Sequence, residues 1–540
     1  MKIRFLPFSL VFFLLVSSVF ALPYHQTKVH HVVGFYPTDR NLLARDIDDY
    51  FGKARKYFGV SIKPNSVKAL IAPHAGYIFS GLSAASVYQT LFEQIEGGFA
   101  KNKKIKKVVI LALSHSGGFT GIALPDYAVY ETPLGGVNVD EDAVEQLRSN
   151  SLFRNIVGAH EGEHSLEVQL PFLQCAIEDF TIVPLIIGGL ADRDFDSVAD
   201  VLKKIIDDET LVVVSSDFTH HGPRYGYKKF ANNSFYNVRR LDSSVIEPIL
   251  EKSYAGCADL LKKTGATVCG RTPIKLLLKL IERGVFGEVE GRLASYYTSA
   301  QIDRARRNGF DVQKLFENVP DDPVSNSVSY AGIIFTTQKT VDLLLKDQMT
   351  GYEQRALLQS ARDSIENAFR TGKTKLDQNL LAPVLTPMLK KNSGAFVTLK
   401  KKNGELRGCI GDVLPSRPLY QAVLARAQSA AFEDTRFSPL KRNELDNIIV
   451  DITVLESPRK VASRHEIVFG KHGMILKNGG RSALFLPQVA EMFDLDPDKT
   501  LGQLSLKAGL SQNAYKQPET TYEVFEGFEF KEECNHKTGN

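Results

Sequence analysis

The stretch LVVVSSDFTHHG (Leu211–Gly222) places four apolar residues directly before a cluster of serine, aspartate and histidine side chains. Three other segments have the same form, a mostly apolar run stopped at once by proline, serine or glycine: Ala69–Ala72, Lys107–Leu113 and Phe180–Ile187. Unbroken runs rich in β-branched residues are typical of strands that are buried on both faces. We therefore predict that these four segments are buried strands of a sheet.

Helical patterns lie between the predicted strands, for example at Asp196–Ile206 and Thr272–Ile281, and Val328–Thr336 has the pattern of a closing strand. Strands that alternate with helices are typical of an α/β domain. The fold class predicted for residues 30–337 is accordingly α/β, with a mostly parallel central sheet flanked by helices.

The pattern changes near Gln338. A long helical pattern at Leu419–Phe432 lies between strand patterns at Gly394–Leu399 and Ile448–Leu455, without the regular alternation of the first part. We predict a separate α+β domain there. The predicted organisation is a signal peptide at 1–21, a first domain at 30–337, a linker at 338–352, a second domain at 353–530 and a frayed tail at 531–540.

The amino terminus has the pattern of a secretory signal. Lys2 and Arg4 precede an apolar run from Leu6 to Val16, and small residues follow as far as Ala21. The apolar run is shorter than the roughly 20 residues that a membrane-spanning helix needs. We predict export to the periplasm or the extracellular space, with an uncleaved membrane anchor as the alternative.

Composition excludes several classes of protein. Hydrophobic residues make up 43% of the chain and charged residues 24%, which is typical of folded globular proteins. A net charge of +4 over 540 residues gives no basis for nucleic-acid binding. Five cysteines are too few for a disulfide framework, and their odd number leaves at least one thiol free or paired between chains. Burial or metal ligation would account for a free thiol.

Chemically capable side chains directly follow three of the predicted strands: His74, His115, and Asp217 with His220. Carboxyl ends of parallel strands share one crevice, so we expect these side chains to converge. Cys269 is a fifth candidate. Two imidazoles and one thiolate suit Fe(II), Cu or Zn. The alternative is that each histidine has only a structural, hydrogen-bonded role.

Cys269 directly precedes a predicted helix. We expect Thr272 to cap that helix and Pro273 to occupy its first turn. A thiol beside a helix amino terminus has its thiolate form stabilised.

The first domain resembles the Memo family. Eight motifs occur in the family's order: GFYP (34–37), APHAGYIFSG (72–81), SH (114–115), TPLG (132–135), EHSLEVQLPFL (163–173), SSDFTHHG (215–222), TVCGRTPI (267–274) and SVSYAG (327–332). This resemblance implies a fold like that of class III extradiol dioxygenases. It also implies His74, His115 and Cys269 as the ligands of a single metal ion. The ring-cleaving enzymes use two histidines and a glutamate, so ring cleavage does not follow from the resemblance. A thiolate adds charge and softness, which favours Cu(I) or tightly held Fe(II) over labile oxygen chemistry. The ion we expect is Fe(II) or Cu rather than Zn.

The same resemblance places Asp217 and His220 in the site. We expect His220 to act as a general acid/base or to hydrogen-bond a metal-bound ligand, and Asp217 to orient a neighbouring group. The alternative is a buried polar pair that holds the turn. The predicted substrate contacts are Tyr77, Glu163, His164 and Arg271; Glu163 and His164 are alternatively outer supports of the metal ligands or part of a loop over the crevice.

The second domain resembles the AMMECR family. Its motifs are RGCIG (407–411), AAFEDTRFSPL (430–440), EL (444–445), ITVLESP (452–458), GKHGMIL (470–476), FLPQVA (485–490) and LSLKAGL (504–510). The resemblance implies an α+β fold and no established activity. A candidate site for a small anionic or polar ligand comprises Arg407, Cys409, Asp434, Arg436 and His472. A buried structural role for Cys409 and a simple ion pair between Asp434 and Arg436 are the alternatives.

Memo-type and AMMECR-type proteins resemble the partners of a radical-SAM protein, and the three together are called the AmmeMemoRadiSam system. This chain resembles a fusion of proteins B and A of that system. Radical-SAM chemistry is cytoplasmic, which conflicts with the predicted export. The predicted function is that of a mononuclear non-haem metal-dependent oxidoreductase, dioxygenase-like, acting on a small-molecule or peptide ligand. The alternatives are a copper- or iron-buffering protein and a peptide-binding scaffold without turnover.

Overall fold

The structure is a computed structural model that describes residues 27–28, 34–115, 118–307, 309–317, 319, 326–340, 343, 345–372 and 383–533. The predicted signal peptide at 1–21 lies outside the described residues and stays a prediction, as does most of the predicted tail. None of the helices in the described ranges combines the length and apolar character that crossing a bilayer requires.

Fourteen strands precede residue 340 in the described residues. In chain order they are β1 (Thr27–Lys28), β2 (Val67–Ala72), β3 (Glu93–Ile95), β4 (Gly98–Ala100), β5 (Lys107–Leu113), β6 (Ile122–Leu124), β7 (Val129–Thr132), β8 (Gly135–Asn138), β9 (Phe153–Asn155), β10 (Thr181–Ile187), β11 (Thr210–Ser215), β12 (His220–His221), β13 (Glu290–Thr298) and β14 (Ser327–Thr336).

The central sheet has nine strands in the order β12-β14-β2-β11-β5-β10-β6-β9, with β13 paired to β14. Its four middle strands, β2, β11, β5 and β10, are parallel to one another, whereas β14 and β6 join them antiparallel on either side. The middle strands are the four apolar runs of the sequence, and they are buried along nearly their whole length because the sheet is covered on both faces.

Helices flank this sheet. They are α1 (Arg40–Tyr57), α2 (Tyr77–Tyr88), α3 (Glu141–Leu147), α4 (His164–Glu167), α5 (Leu170–Ala176), α6 (Phe195–Leu202), α7 (Ser234–Leu250), α8 (Tyr254–Thr264), α9 (Arg271–Glu282) and α10 (Ser299–Arg306). Helix α2 packs on β2, β13 and β14, and α9 packs on β5 and β11. The α/β prediction with a mostly parallel central sheet is thereby confirmed.

The remainder of the chain is a separate, sheet-rich region. Its strands are β15 (Gly394–Lys401), β16 (Leu406–Asp412), β17 (Ile448–Leu455), β18 (Arg459–Val461), β19 (Gly473–Asn478), β20 (Arg481–Phe485), β21 (Thr521–Phe525) and β22 (Gly527–Lys531). They form two antiparallel sheets, ordered β16-β15-β17-β22 and β18-β21-β19-β20. The helices are α11 (Leu345–Gln348), α12 (Gly351–Thr371), α13 (Pro387–Lys390), α14 (Leu419–Phe432) and α15 (Pro497–Lys507).

Helix α12 contributes to two hydrophobic cores. Tyr352 and Ala356 near its start belong to the core of the first domain, whereas Leu357 and Ile365 belong to the core formed by the first antiparallel sheet. Its start is fixed by a capping box, in which Thr350 and Glu353 bond each other's backbone amides. The two domains therefore meet along this helix.

Candidate metal centre

Three strands bring the candidate ligands together. Strands β2, β11 and β5 are neighbours in the sheet and run parallel, so their carboxyl ends lie side by side. His74 follows β2, His115 follows β5, and Asp217 follows β11. The order of the strands in space, rather than in the chain, sets which side chains are adjacent.

His74, His115 and Cys269 form one cluster. A ligand atom from each lies within 4.8 Å of the others, and His74 Nε2 is 3.2 Å from Cys269 Sγ. Metal–nitrogen bonds of about 2.1 Å and metal–sulfur bonds of about 2.3 Å place donors of one tetrahedral ion about 3.6 Å apart. The three side chains therefore need only small movements to share an ion.

The ring of His74 is oriented by Ser215. The Ser215 hydroxyl donates its single proton to the carbonyl of Ser165 and accepts from Gln169 Nε2 at 3.0 Å. Its 2.8 Å contact with His74 Nδ1 therefore requires the proton to be on that nitrogen. This leaves His74 Nε2, which faces Cys269, with a lone pair for a metal ion.

The ring of His115 is oriented by Glu163. The carboxylate accepts from His115 Nδ1 at 2.8 Å and from the His115 amide at 2.6 Å. Burial acts to raise the pKa of Glu163, but the hydrogen bonds from His115 and Ser165 outweigh it and lower the pKa to about 2. The ionised carboxylate holds the proton on Nδ1, so His115 also presents Nε2.

Cys269 lies in the turn before α9. Its Sγ accepts from the amide of Asp217 at 3.1 Å, while burial and the nearby Asp217 carboxyl raise the pKa of the thiol. The thiol is therefore protonated in the absence of a metal ion, contrary to the thiolate expected beside a helix amino terminus, and binding of an ion to the sulfur would displace its proton to solvent. The predicted cap by Thr272 is wrong: Gly270 occupies the cap position, and within the described part of the chain no side chain caps α9.

Asp217 links the other groups. Its Oδ1 accepts from the His74 amide at 2.9 Å, and burial raises its pKa. His220 lies beside it, where Nδ1 contacts the carbonyls of Phe218 (2.9 Å) and Thr267 (3.2 Å). Carbonyls only accept, so neutral His220 carries its proton on Nδ1 and presents an unprotonated Nε2.

His164 stacks on His115, with ring centroids 4.2 Å apart, and its ring also lies 4.4 Å from that of Phe35 and 5.6 Å from that of His74. Burial and the adjacent His115 lower the pKa of His164. These contacts fit the supporting role that is the alternative to substrate contact. Glu163 and His164 also form, with His115, a second group whose possible donor atoms lie within 4.8 Å of one another.

The two remaining predicted substrate contacts differ in exposure. Tyr77 is 4% exposed, its ring packs between Tyr36 and Phe172, and its hydroxyl donates to the Val168 carbonyl at 2.6 Å. Arg271 is exposed at the first position of α9. The position of Tyr77 is accounted for by core packing, because its polar group is bonded to the backbone.

The comparison with known families decides what this domain is. A family model described as Memo-like protein matches residues 28–308, which contain every group of the cluster. The chain belongs to the Memo family. A second family model, AMMECR1, matches residues 358–530, so this is a Memo-like domain fused to an AMMECR1 domain.

Three relatives each cover between a third and a half of this chain. The MEMO1 family protein of Thermococcus onnurineus is 31% identical over 291 residues, covering 50% of this chain and 92% of the relative. Protein MEMO1 of Xenopus laevis is 31% identical over 263 residues, covering 46% and 82%. A protein of Methanosarcina barkeri is 40% identical over 190 residues, covering 34% and 92%. The crystal structure of an uncharacterized protein from Pyrococcus horikoshii is 33% identical, covers 33% of this chain and 90% of that chain, and has a TM-score of 0.30.

In the AMMECR1 domain the candidate residues divide into three groups. The Cys409 amide donates to Asp434 at 2.8 Å, and Arg436 forms an ion pair with Asp434 at 2.7 Å. Arg407 is buried and makes a two-pronged pair with Glu444. His472 lies before β19 in the other sheet, where its Nδ1 accepts from the Val468 amide. The ion-pair alternative for Asp434 and Arg436 describes their geometry.

Ser215 and Gln169 are supporting residues that we did not single out from sequence. Ser215 stands in the motif SSDFTHHG and Gln169 in EHSLEVQLPFL, yet only Asp217, His220, Glu163 and His164 were selected there. A serine at the last position of a fully buried strand is the signal that could have found Ser215, since such a hydroxyl needs polar partners.

Proposed function

We propose that the Memo-like domain binds a single Fe or Cu ion through His74, His115 and Cys269 and uses it as a non-haem oxidoreductase centre. The observation that supports this most is the proton arrangement: both imidazoles have Nδ1 engaged by a fixed acceptor and present Nε2. Structural histidines have no need of such an arrangement at two neighbouring sites, whereas metal ligands do.

The donor set fits the ion. Two neutral nitrogens and one thiolate carry a single negative charge, and sulfur favours Cu or Fe(II) over Mg or Ca. Three protein ligands leave further coordination positions for a substrate or oxygen. The bound ion would supply redox and Lewis-acid chemistry.

The other residues bind and orient. His220 presents Nε2 beside Asp217 and is the group that could exchange a proton with a bound ligand. Asp217 holds the backbone of His74 and the sulfur of Cys269, so it acts as a positioning residue. Metal binding and the catalytic role of His220 can be tested separately.

Metal content tests the first part. After loading and gel filtration, we expect about one Fe or Cu per wild-type chain, and at least tenfold less in His74→Ala and Cys269→Ser. Exposed His465 and half-buried Cys175 lie in other parts of the chain, so His465→Ala and Cys175→Ser are matched controls. Full metal retention in both site variants would refute the centre.

Oxygen uptake tests the second part. Protein loaded anaerobically with Fe(II) or Cu(I) is mixed with a panel of catechols and aromatic peptides, and oxygen is monitored. Uptake that depends on substrate and is lost in His220→Ala, with metal retained, supports an oxidoreductase. A metal-loaded protein without uptake supports the metal-buffering function instead.

A further inference from the structure

We infer that the Memo-like domain has a dedicated docking surface for the chain that follows it, residues 345–356 together with the AMMECR1 domain, and that the two parts stay associated when the peptide link is cut. The surface is formed by the carboxyl end of α1, the middle of α7 and the start of β13. It is independent of the metal site and of the function proposed for it.

Apolar residues of the second region complete the first core. Tyr352 (3% exposed) and Ala356 of α12, together with Val384, are buried in the hydrophobic core of the Memo-like domain. The ring of Tyr352 lies 5.8 Å from that of Phe316. Side chains buried in another domain's core contribute stability as core residues do, typically a few kcal/mol for a large aromatic ring.

A buried arginine binds the approaching chain. Arg292 of β13 is 7% exposed and donates to the carbonyls of Ser61 (3.0 Å), Asp347 (3.3 Å) and Gln348 (3.0 Å). Ser61 belongs to the first domain, whereas Asp347 and Gln348 lie in the segment predicted as a linker. Much of that segment is therefore anchored to the Memo-like domain.

The end of α1 makes the second contact. The Gly351 amide donates to the Gly59 carbonyl at 2.8 Å, and a side-chain carbon at Gly351 would lie 2.8 Å from the Tyr57 carbonyl oxygen. Arg355 donates to that same carbonyl at 3.1 Å and stacks over the Tyr57 ring at 4.8 Å. The backbone of α12 thus approaches the end of α1 closely.

Helix α7 makes the third contact, with residues beyond α12. Ser243 Oγ accepts from the Leu385 amide at 3.1 Å, and Lys390 of α13 pairs with Glu247 and, at 3.4 Å, with Glu251. Partly exposed ion pairs add little affinity but select orientation and partner. Two separate segments of the chain, residues 347–356 and 384–390, therefore contact the same surface of the Memo-like domain.

The relatives are consistent with a surface that does not need the covalent link. The Thermococcus onnurineus protein is covered over 92% of its length by half of this chain, and the Methanosarcina barkeri protein over 92% by a third of it. Relatives thus exist that match only a portion of this chain over nearly their whole length.

Cleavage of the folded full-length protein tests the inference. A protease recognition sequence is inserted after Thr340, the intact protein is purified and cut, and the products are run on gel filtration at about 5 µM, a concentration that detects interfaces of micromolar affinity or better. Co-elution of both fragments at one-to-one ratio is expected. Separate elution of two folded fragments would overturn the inference.

Charge exchange tests the location of the surface. Lys390→Glu opposes Glu247 and Glu251, and we expect it to raise the dissociation constant of the cut protein about tenfold. Adding Glu247→Lys and Glu251→Lys should bring the dissociation constant back to within about threefold of that of the cut wild-type protein. Failure of the triple variant to recover, with circular dichroism unchanged, would overturn this surface.

Hydrogen exchange on the uncut wild-type chain gives an answer even where the insertion prevents folding. The Gly351 amide should exchange as slowly as amides in β13, because it is bonded across the interface. Exchange of Gly351 and the first turn of α12 within seconds would show that the contact opens freely, contrary to the inference.

Discussion

At the residue scale, the candidate centre depends on which nitrogen of each histidine carries a proton. Ser215 fixes the proton of His74, and Glu163 fixes that of His115. One partner is neutral and the other is an ionised carboxylate. A charged acceptor raises the basicity of the imidazole more than a hydroxyl does, so the two ligands are electronically different.

Glu163 variants test this support. We expect Glu163→Ala to raise the metal dissociation constant about 10- to 100-fold, because His115 loses the acceptor that orients it. Glu163→Gln keeps an oxygen at the same position, so it should lose less metal affinity than Glu163→Ala. Competition with a chromophoric chelator measures both. Equal affinity of both variants and wild type would show that Glu163 does not act through His115.

At the element scale, the turn before α9 determines where the sulfur lies. Gly270 has its α-carbon against the end of β11, so an added side-chain carbon would lie 2.3 Å from Ser216 Cβ and 2.8 Å from the Ser215 carbonyl oxygen. These atoms belong to the strand end that also supports His74. The close approach of α9 to β11 therefore sets the sulfur-to-nitrogen distance.

Gly270→Ala should disturb stability and metal binding together. We expect a loss of about 1–3 kcal/mol in the free energy of unfolding from overpacking, with reduced metal per chain. Gly52→Ala in α1 is the matched control, because no atom of the residues that the structure describes lies within 4 Å of its added carbon. The control should gain about 0.5–1 kcal/mol from helix propensity. Denaturant unfolding and metal analysis distinguish this variant from the control. A Gly270→Ala protein with wild-type stability and wild-type metal content would contradict the packing argument.

At the scale of the whole molecule, the region between the domains contains an acidic cavity of ≈ 510 Å³, lined by Asp363 and Glu366 of α12, by Glu317, and by Glu532 near the end of the described chain. Burial raises the pKa of Asp363 to about 6, and Glu366 and Glu317 add to this; Gln359 and Arg239 oppose it. Burial of Asp363 between the domains therefore lowers the stability of the folded protein by an amount that depends on pH.

The sign of that cost follows from the pKa. Asp363 binds its proton more tightly in the folded protein (about 6) than in the unfolded chain (about 3.8), so its contribution to stability is complete below about pH 3.8 and is lost as the pH rises through 6. Asp363→Asn removes this loss. We expect the free energy of unfolding of the variant, measured relative to that of wild type, to increase by about 2 kcal/mol from pH 4 to pH 7. Chemical denaturation at both pH values measures this, and a constant difference would contradict it.

Residue patterns along the chain were sufficient to predict the elements whose burial is local in origin. Strands β5 and β17 and helix α14 begin and end at the predicted residues, and β2, β10, β11 and β14 differ from prediction by one or two residues at an end. A chain segment reports its own burial through the spacing of its apolar residues, and strand ends in a parallel sheet share one edge. That was enough to select His74, His115 and Cys269 once the family motifs were added.

Features that depend on partners far away in the chain could not be predicted in this way. His74 and Ser215 are 141 positions apart, and their hydrogen bond exists because β2 and β11 are neighbours in the sheet. Tyr77 packs in the core, Thr272 does not cap its helix, and His472 lies in a second sheet, for the same reason. A side chain's hydrogen-bond partner and a helix's division between two cores are properties of spatial arrangement, which residue spacing along the chain does not encode.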